Sequence, residues 1–165
     1  MKNNIKRSKE EMERCYERTV DSVYKTCRMF FKGNIADIED AVQSTYVQWM
    51  TSDVNFENEN HEKAWLIVTA SNICKNTLKH WWRRNENIDD VEQQGRADKY
   101  EEDNLITMLR KLPEKQRVAM YMFYYEGYTC KEIAEVMGKK EATVWEYLHN
   151  GRVKLKKLLE DERYA

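Results

Sequence analysis

The chain has 165 residues, 35% of them charged, and a formal net charge of −1. No apolar run approaches the roughly 18 residues that cross a bilayer, and the opening MKNNIKRSKEEMERC lacks the apolar stretch of a secretory signal, so a cytoplasmic chain with no membrane insertion is expected. An apolar fraction of 41% is enough for a core, while five Gly and one Pro leave little punctuation for hairpins, so the expected fold is all-α.

Ser8-x-x-Glu11 fits a capping box and opens the first helix. Met12, Cys15, Tyr16, Val20, Val23, Tyr24, Cys27, Phe30 and Phe31 follow at helical spacing as one buried stripe, and Gly33-Asn34 ends it. The second helix is expected over 35–50. Asp37, Glu39 and Asp40 crowd its first turn, where the helix dipole favours negative charge. Ile38, Ala41, Val42, Tyr46 and Trp49 form its inner or contact face, and Asp40, Gln43 and Gln48 its polar side.

Residues 51–61, TSDVNFENENH, read as a polar loop around one aromatic, Phe56. A third helix is expected from about Glu62, with Trp65, Leu66, Val68, Ile73 and Leu78 apolar. Asn72, Lys75, Asn76, Lys79, Arg83 and Arg84 give it a polar to basic side, with Trp81 and Trp82 beside the arginines. Cations neutralise phosphates and flat rings stack on bases, so this mixture suits nucleic acid. A surface basic helix with core tryptophans fits the same residues.

Charge then changes abruptly. Residues 1–84 hold 14 basic and 12 acidic side chains, 85–103 hold 2 and 8, and 104–165 hold 12 and 9. Two mildly basic lobes therefore flank the acidic, polar stretch NENIDDVEQQGRADKYEED, read as a flexible linker. It is either a solvated connection or a strand of carboxylates that lies in a partner's basic channel. The expected domains are 1–84, the linker 85–103, and 104–165.

The second lobe begins with Leu105, Ile106, Met108 and Leu109 on a short amphipathic helix. Pro113 stands at the first position of the next helix, which runs to Tyr125 and stops at Gly127. Thr129-Cys130-Lys131-Glu132 is a second capping box and opens CKEIAEVM; Gly138 turns the chain, and a last helix runs from about Glu141. A short helix, a Gly turn and a second helix held by Val144 and Leu148 make a helix-turn-helix, whose outward residues can enter a major groove.

The four Cys (15, 27, 74, 130) are scattered, with no Cys-x-x-Cys, and so are the three His; reduced thiols and no metal site are expected. Cys130 lies in the first turn of a helix, where a thiolate is favoured, whereas Cys15, Cys27 and Cys74 read as packing residues. With no Gly-rich phosphate loop and no nucleophile motif, neither an enzyme nor a cofactor is expected.

Leu112-Pro113-x-x-x-Arg117, Tyr125-Glu126-Gly127, Glu132-Ile133-Ala134, Gly138, Thr143-Val144, Leu148-His149 and Arg152 together resemble the promoter-binding C-terminal domain of bacterial RNA polymerase sigma factors of the sigma-70 family. DIEDAVQSTYVQW resembles the helix with which such factors grip the polymerase clamp. Ala64-Trp65-Leu66, Ala70, Asn72 and Asn76 resemble the helix that handles the melted −10 strand. Roughly 130 of 165 residues are covered, and the short length is similar to the extracytoplasmic-function group.

The resemblance implies an alternative sigma factor with core RNA polymerase and promoter DNA as partners and, as is common in the group, an anti-sigma factor. Polymerase contacts would fall on Asp37, Asp40, Gln43, Tyr46 and Trp49, and −10 contacts on Phe56, Asn72, Lys75, Asn76, Lys79 and Arg83. The −35 duplex would face Lys139, Lys140, Glu141, Thr143, Trp145, Glu146, His149 and Arg152. Lys140 replaces the small polar cap that usually starts the recognition helix, and Trp145, Tyr147 and Asn150 stand where many relatives are basic. Either the promoter sequence differs or −35 affinity is low and an auxiliary protein helps. His80, Trp81 and Trp82 likewise replace a more basic run. Two other readings remain: a stand-alone helix-turn-helix regulator, and a sigma-like polymerase-binding subunit that needs an auxiliary protein.

Overall fold

The computed structural model describes residues 7–84 and 104–163. They are helical, with no strand among them, in two compact units divided between Glu101 and Glu102. The linker expected over 85–103 lies outside the described residues.

The first unit holds α1 (Lys9–Arg28), α2 (Ile35–Thr51) and α3 (Glu59–Arg83), each packed on the other two. Ser8 Oγ accepts the Glu11 amide at 3.1 Å and starts α1. The helix ends at Arg28, before the expected Phe30–Phe31, but the turn that follows still buries Met29 and Phe31. Gly33 sits at φ +73°, a conformation that a Cβ disfavours, and the chain then enters α2 through the Asn34 cap.

The helix α3 starts three residues earlier than the spacing predicts. Asn58 Oδ1 accepts the His61 amide at 2.8 Å, so the cap precedes the first apolar residue by several positions. Val23, Cys27, Ile38, Leu66, Ala70 and Cys74 have no exposed surface to speak of and form the centre of this core.

Polar atoms cross that core in pairs. Thr19 Oγ1 and the Tyr46 hydroxyl lie 2.7 Å apart, joining α1 to α2. Trp49 Nε1 donates to Glu62 Oε2 at 3.1 Å, and Arg18 forms an ion pair with the other oxygen of the same carboxylate. Glu62 therefore ties the start of α3 to both neighbouring helices.

The second unit holds α4 (Asn104–Leu109), α5 (Glu114–Met120), a single wide π turn over Tyr121–Tyr125, α6 (Cys130–Met137) and α7 (Glu141–Arg163). Ile106, Leu109, Leu112, Ala119, Ile133 and Leu148 form its core. Pro113 is the residue before α5, not its first residue: its φ of −54° is joined to an extended ψ of 149°, and its carbonyl accepts the Arg117 amide at 2.9 Å. The π turn closes with the Glu126 amide on the Tyr121 carbonyl at 3.1 Å, and Gly127 at φ +79° redirects the chain. Thr129 and Glu132 complete the reciprocal capping box of α6. Gly138 ends that helix at φ +65°, which lets the Lys139 amide reach the Ala134 carbonyl at 2.9 Å.

The spacing Leu112-Pro113-x-x-x-Arg117 has a physical role here. Arg117 Nη2 donates to the carbonyls of Arg110 and Leu112, at 3.1 and 2.9 Å. One guanidinium on α5 thus satisfies the carbonyls left open where α4 ends. Arg117→Ala strands them, and the second unit should lose about 2–3 kcal/mol of stability, read by chemical denaturation. An unchanged midpoint would contradict that role.

Candidate nucleic-acid and partner interfaces

The outward face of α2 is short and mixed. Asp40, Gln43, Val47 and Met50 follow one another at three and four residues and are all exposed. Val47 and Met50 are 58% and 44% exposed, an apolar pair beside the polar ones. Neither stands among the contact residues expected from the sequence. Asp37 is half-buried, and its carboxyl is raised above the usual range, first by burial and then by the nearby Asp40 charge.

Tyr46 and Trp49 do not share this face. They are 6% and 2% exposed. Their polar atoms are already engaged inside the unit by Thr19 and Glu62, so neither ring can reach a partner without breaking the core. Expecting both residues to touch the polymerase directly is corrected accordingly: they hold the helix whose other side is free.

Between α2 and α3 the loop carries Phe56 into a small aromatic group. Its ring meets Trp65 edge-on at 5.6 Å and His61 at 5.5 Å. His61 accepts the Glu57 amide on Nδ1 at 3.1 Å. From this group α3 runs outward with Asn72, Asn76, Lys79 and Arg83 at spacings of four, three and four, all exposed. That is one helical stripe of two amides and two cations. Lys75 lies to one side of it and is half-buried. Trp82 projects beyond the stripe at 67% exposure. Trp65, read from the sequence as a packing residue, does pack against the core, and it also meets the Phe56 ring.

Beside the loop lies a cavity of about 520 Å³. Arg7, Arg14 and Arg18 face Glu11, Glu59 and Glu62 across it, with Trp49, Phe56 and Cys15 in the wall. Opposite charges in equal number leave it near neutrality, unlike a simple phosphate site.

In the second unit the face of the helix-turn-helix is exposed as expected at Lys139, Lys140, Glu141, Trp145, Glu146, His149 and Arg152, while Thr143 is half-buried. Val144 and Leu148 are fully buried on the opposite side of α7. The Lys140 carbonyl accepts the Thr143 and Val144 amides at 3.0 and 3.3 Å, so Lys140 stands just where a side-chain cap would serve. Arg152 Nη1 donates to the Tyr124 hydroxyl at 2.9 Å. Tyr124, on the π turn, is a neighbour that the sequence reading missed, because its wide turn rotates the ring off the α-helical register.

All four thiols are free and buried. Burial pushes the Cys15 thiol up to about 12, and the Glu62 carboxylate pushes in the same direction. Cys130 is raised too, by burial and then by Glu141, so the first-turn thiolate expected from its position is not favoured.

Two family models match the chain. Sigma-70 region 2 covers residues 15–87, and Sigma-70, region 4 covers 102–155. Among curated proteins the chain is 24% identical over 136 residues to the ECF RNA polymerase sigma factor EcfG of Rhodopseudomonas palustris, covering 77% of this chain and 74% of that one. It is 23% identical over 161 residues to the ECF RNA polymerase sigma factor SigW of Bacillus subtilis, covering 86% and 84%. Among solved structures it resembles the sigma factor RpoE held by the anti-sigma factor NepR from Bartonella quintana, at 17% identity and TM-score 0.65, with 92% and 98% of the two chains covered. CnrH in complex with the cytosolic domain of CnrY gives 20% identity, TM-score 0.66 and coverage of 93% and 90%. These two support the same all-helical fold.

The buried thiols give a direct check. A raised thiol favours the neutral native form, so its contribution to stability is complete below about pH 8.5 and is lost as pH climbs from there. At pH 8 the folded chain should give no rapid titre with a thiol reagent, and all four cysteines should react once it is unfolded. A fast-reacting native thiol would contradict this placement.

Proposed function

The chain belongs to the sigma-70 family, in its short extracytoplasmic-function form, and from that premise we propose how its surfaces divide the work. It is an alternative sigma factor that binds core RNA polymerase, recognises promoter DNA and starts transcription. The bond-making chemistry is left to the polymerase, and the chain works in the cytoplasm beside it.

The outer face of α2 docks on the polymerase. Asp40 and Gln43 supply polar selectivity, and Val47 and Met50 supply the apolar area that such contacts need at their centre. The Phe56 group and the stripe Asn72–Asn76–Lys79–Arg83 face the melted −10 strand. Amide side chains offer a donor and an acceptor to base edges, and the two cations follow the phosphates. The observation that carries this division is that stripe, two amides and two cations exposed on one side of α3, the helix whose first turns meet Phe56 through His61 and Trp65.

The helix-turn-helix takes the −35 duplex. Its exposed face holds three cations, Lys139, Lys140 and Arg152, against Glu141 and Glu146. Arg152 already donates to Tyr124. So balanced a face binds phosphate weakly, which favours an arrangement in which the polymerase or an auxiliary subunit contributes much of the −35 affinity. RpoE is in complex with the anti-sigma factor NepR and CnrH with the cytosolic domain of CnrY, and an anti-sigma factor is the corresponding partner here.

Mixed with core RNA polymerase, the wild-type chain should co-elute on a sizing column. A variant carrying Asp40→Arg and Val47→Asp should not, while keeping its melting point. Trp49→Ala should instead cost about 3–5 kcal/mol of stability, as loss of a core ring does. Co-elution of the double variant would contradict the docking face. Failure of the wild type to co-elute would favour a stand-alone DNA-binding regulator.

A further inference from the structure

Arg7 lies just before the first helix, eight residues ahead of the stretch that matches region 2, which begins at Cys15. Nothing in the family match gives it a role. Its backbone is nonetheless held, because the next residue, Ser8, caps α1 through the Glu11 amide. From that position its side chain reaches the loop between α2 and α3. Nη2 donates to Ser52 Oγ at 3.1 Å and to the Val54 carbonyl at 3.0 Å. The same guanidinium carbon lies 4.8 Å from the Trp49 ring centroid and 5.4 Å from that of Phe56.

These four contacts span the loop from its root to its aromatic. Local bonds secure the two ends. Ser52 Oγ donates to the Trp49 carbonyl at 2.9 Å, and the Glu57 amide donates to His61. The middle, Val54 to Phe56, is joined to the body of the unit by Arg7. A guanidinium suits this task because its plane can lie against rings while its edge donates in that plane. A lysine ammonium can do one or the other.

We propose that Arg7 is a positioning residue for the −10 strand: by latching the loop it sets where the Phe56 ring stands, and so sets the base preference at the position that this loop reads. The proposal rests on the assignment of the Phe56 loop to the melted strand. Arg7 acts through Phe56 and Val54 rather than by reading a base itself. A purely structural role would lower stability and weaken every promoter contact together. A latch should alter one position and spare the rest.

The test uses the full chain bound to core RNA polymerase, selected on fork-junction DNA whose single-stranded −10 element is randomised, with the recovered DNA sequenced. The wild type should enrich a distinct base at one or more positions. Arg7→Ala should flatten that preference at least fivefold at one position. Its preferences elsewhere, its core binding and its melting point should stay near those of the wild type. Arg7→Lys should restore less than half of the lost preference, and Ser52→Ala, which removes one of the two acceptors, should flatten the same position by less. An Arg7→Ala profile equal to the wild type would overturn the proposal alone, as would uniform flattening together with a lower melting point. No enrichment by the wild type would overturn the assignment of the loop to the strand, and the proposal with it.

Discussion

One hydrogen bond sets the geometry of the first unit: the indole N–H of Trp49 on the carboxylate of Glu62. An indole buried to this depth needs a partner for its only donor, since a stranded N–H costs about as much as a lost hydrogen bond. Glu62 supplies it from the first turn of α3, where a carboxylate is also favoured by the helix dipole. Arg18 on α1 then pairs with the same group and keeps its charge compensated. Three helices meet at this one side chain. Where α2 ends and where α3 begins are thereby set relative to each other, and so is the loop that carries Phe56. The free faces of α2 and α3 are exposed because their other faces are committed here.

The second unit solves a different problem. Three of its four helices are shorter than the length at which a helix is stable alone, so their ends need partners. Arg117 closes α4, the Thr129–Glu132 box opens α6, and Gly138 closes it. With the short helices fixed, α7 buries Val144 and Leu148 and leaves Trp145, His149 and Arg152 outside. On that face the Tyr124 hydroxyl accepts a hydrogen bond from Arg152. The result is a tightly tied scaffold whose exposed face carries nearly balanced charge.

Much of this was legible in the residues. Helical periodicity predicts the two cores, and Ser8, Thr129 and Gly138 mark helix ends because their chemistry is local. The resemblance to sigma-70 regions 2 and 4 rests on motifs in the right order, and the family models match over the same stretches. What escaped depends on distant partners. Tyr46 and Trp49 could face either way on an amphipathic helix; the choice is made by Thr19 and Glu62, which no spacing within α2 reveals. Val47 and Met50 stand outside the face expected from the spacing, and they are exposed because those two rings have taken the inner side. The Asn58 cap of α3 escaped because apolar spacing marks only where the buried face begins, several residues later. The role of Arg7 escaped because its acceptors lie some 45 residues away.

The Trp49–Glu62 bond is thus the link that orders the Phe56 loop and both exposed faces. A double-mutant cycle with Trp49→Phe and Glu62→Met, followed by denaturant unfolding, measures that link. Phe keeps an aromatic ring and removes the donor; Met keeps the side-chain length and removes the acceptor. A hydrogen bond to a buried-side carboxylate predicts a coupling energy of about 1.5–3 kcal/mol between the two sites. Additive effects, with a coupling below about 0.5 kcal/mol, would contradict it.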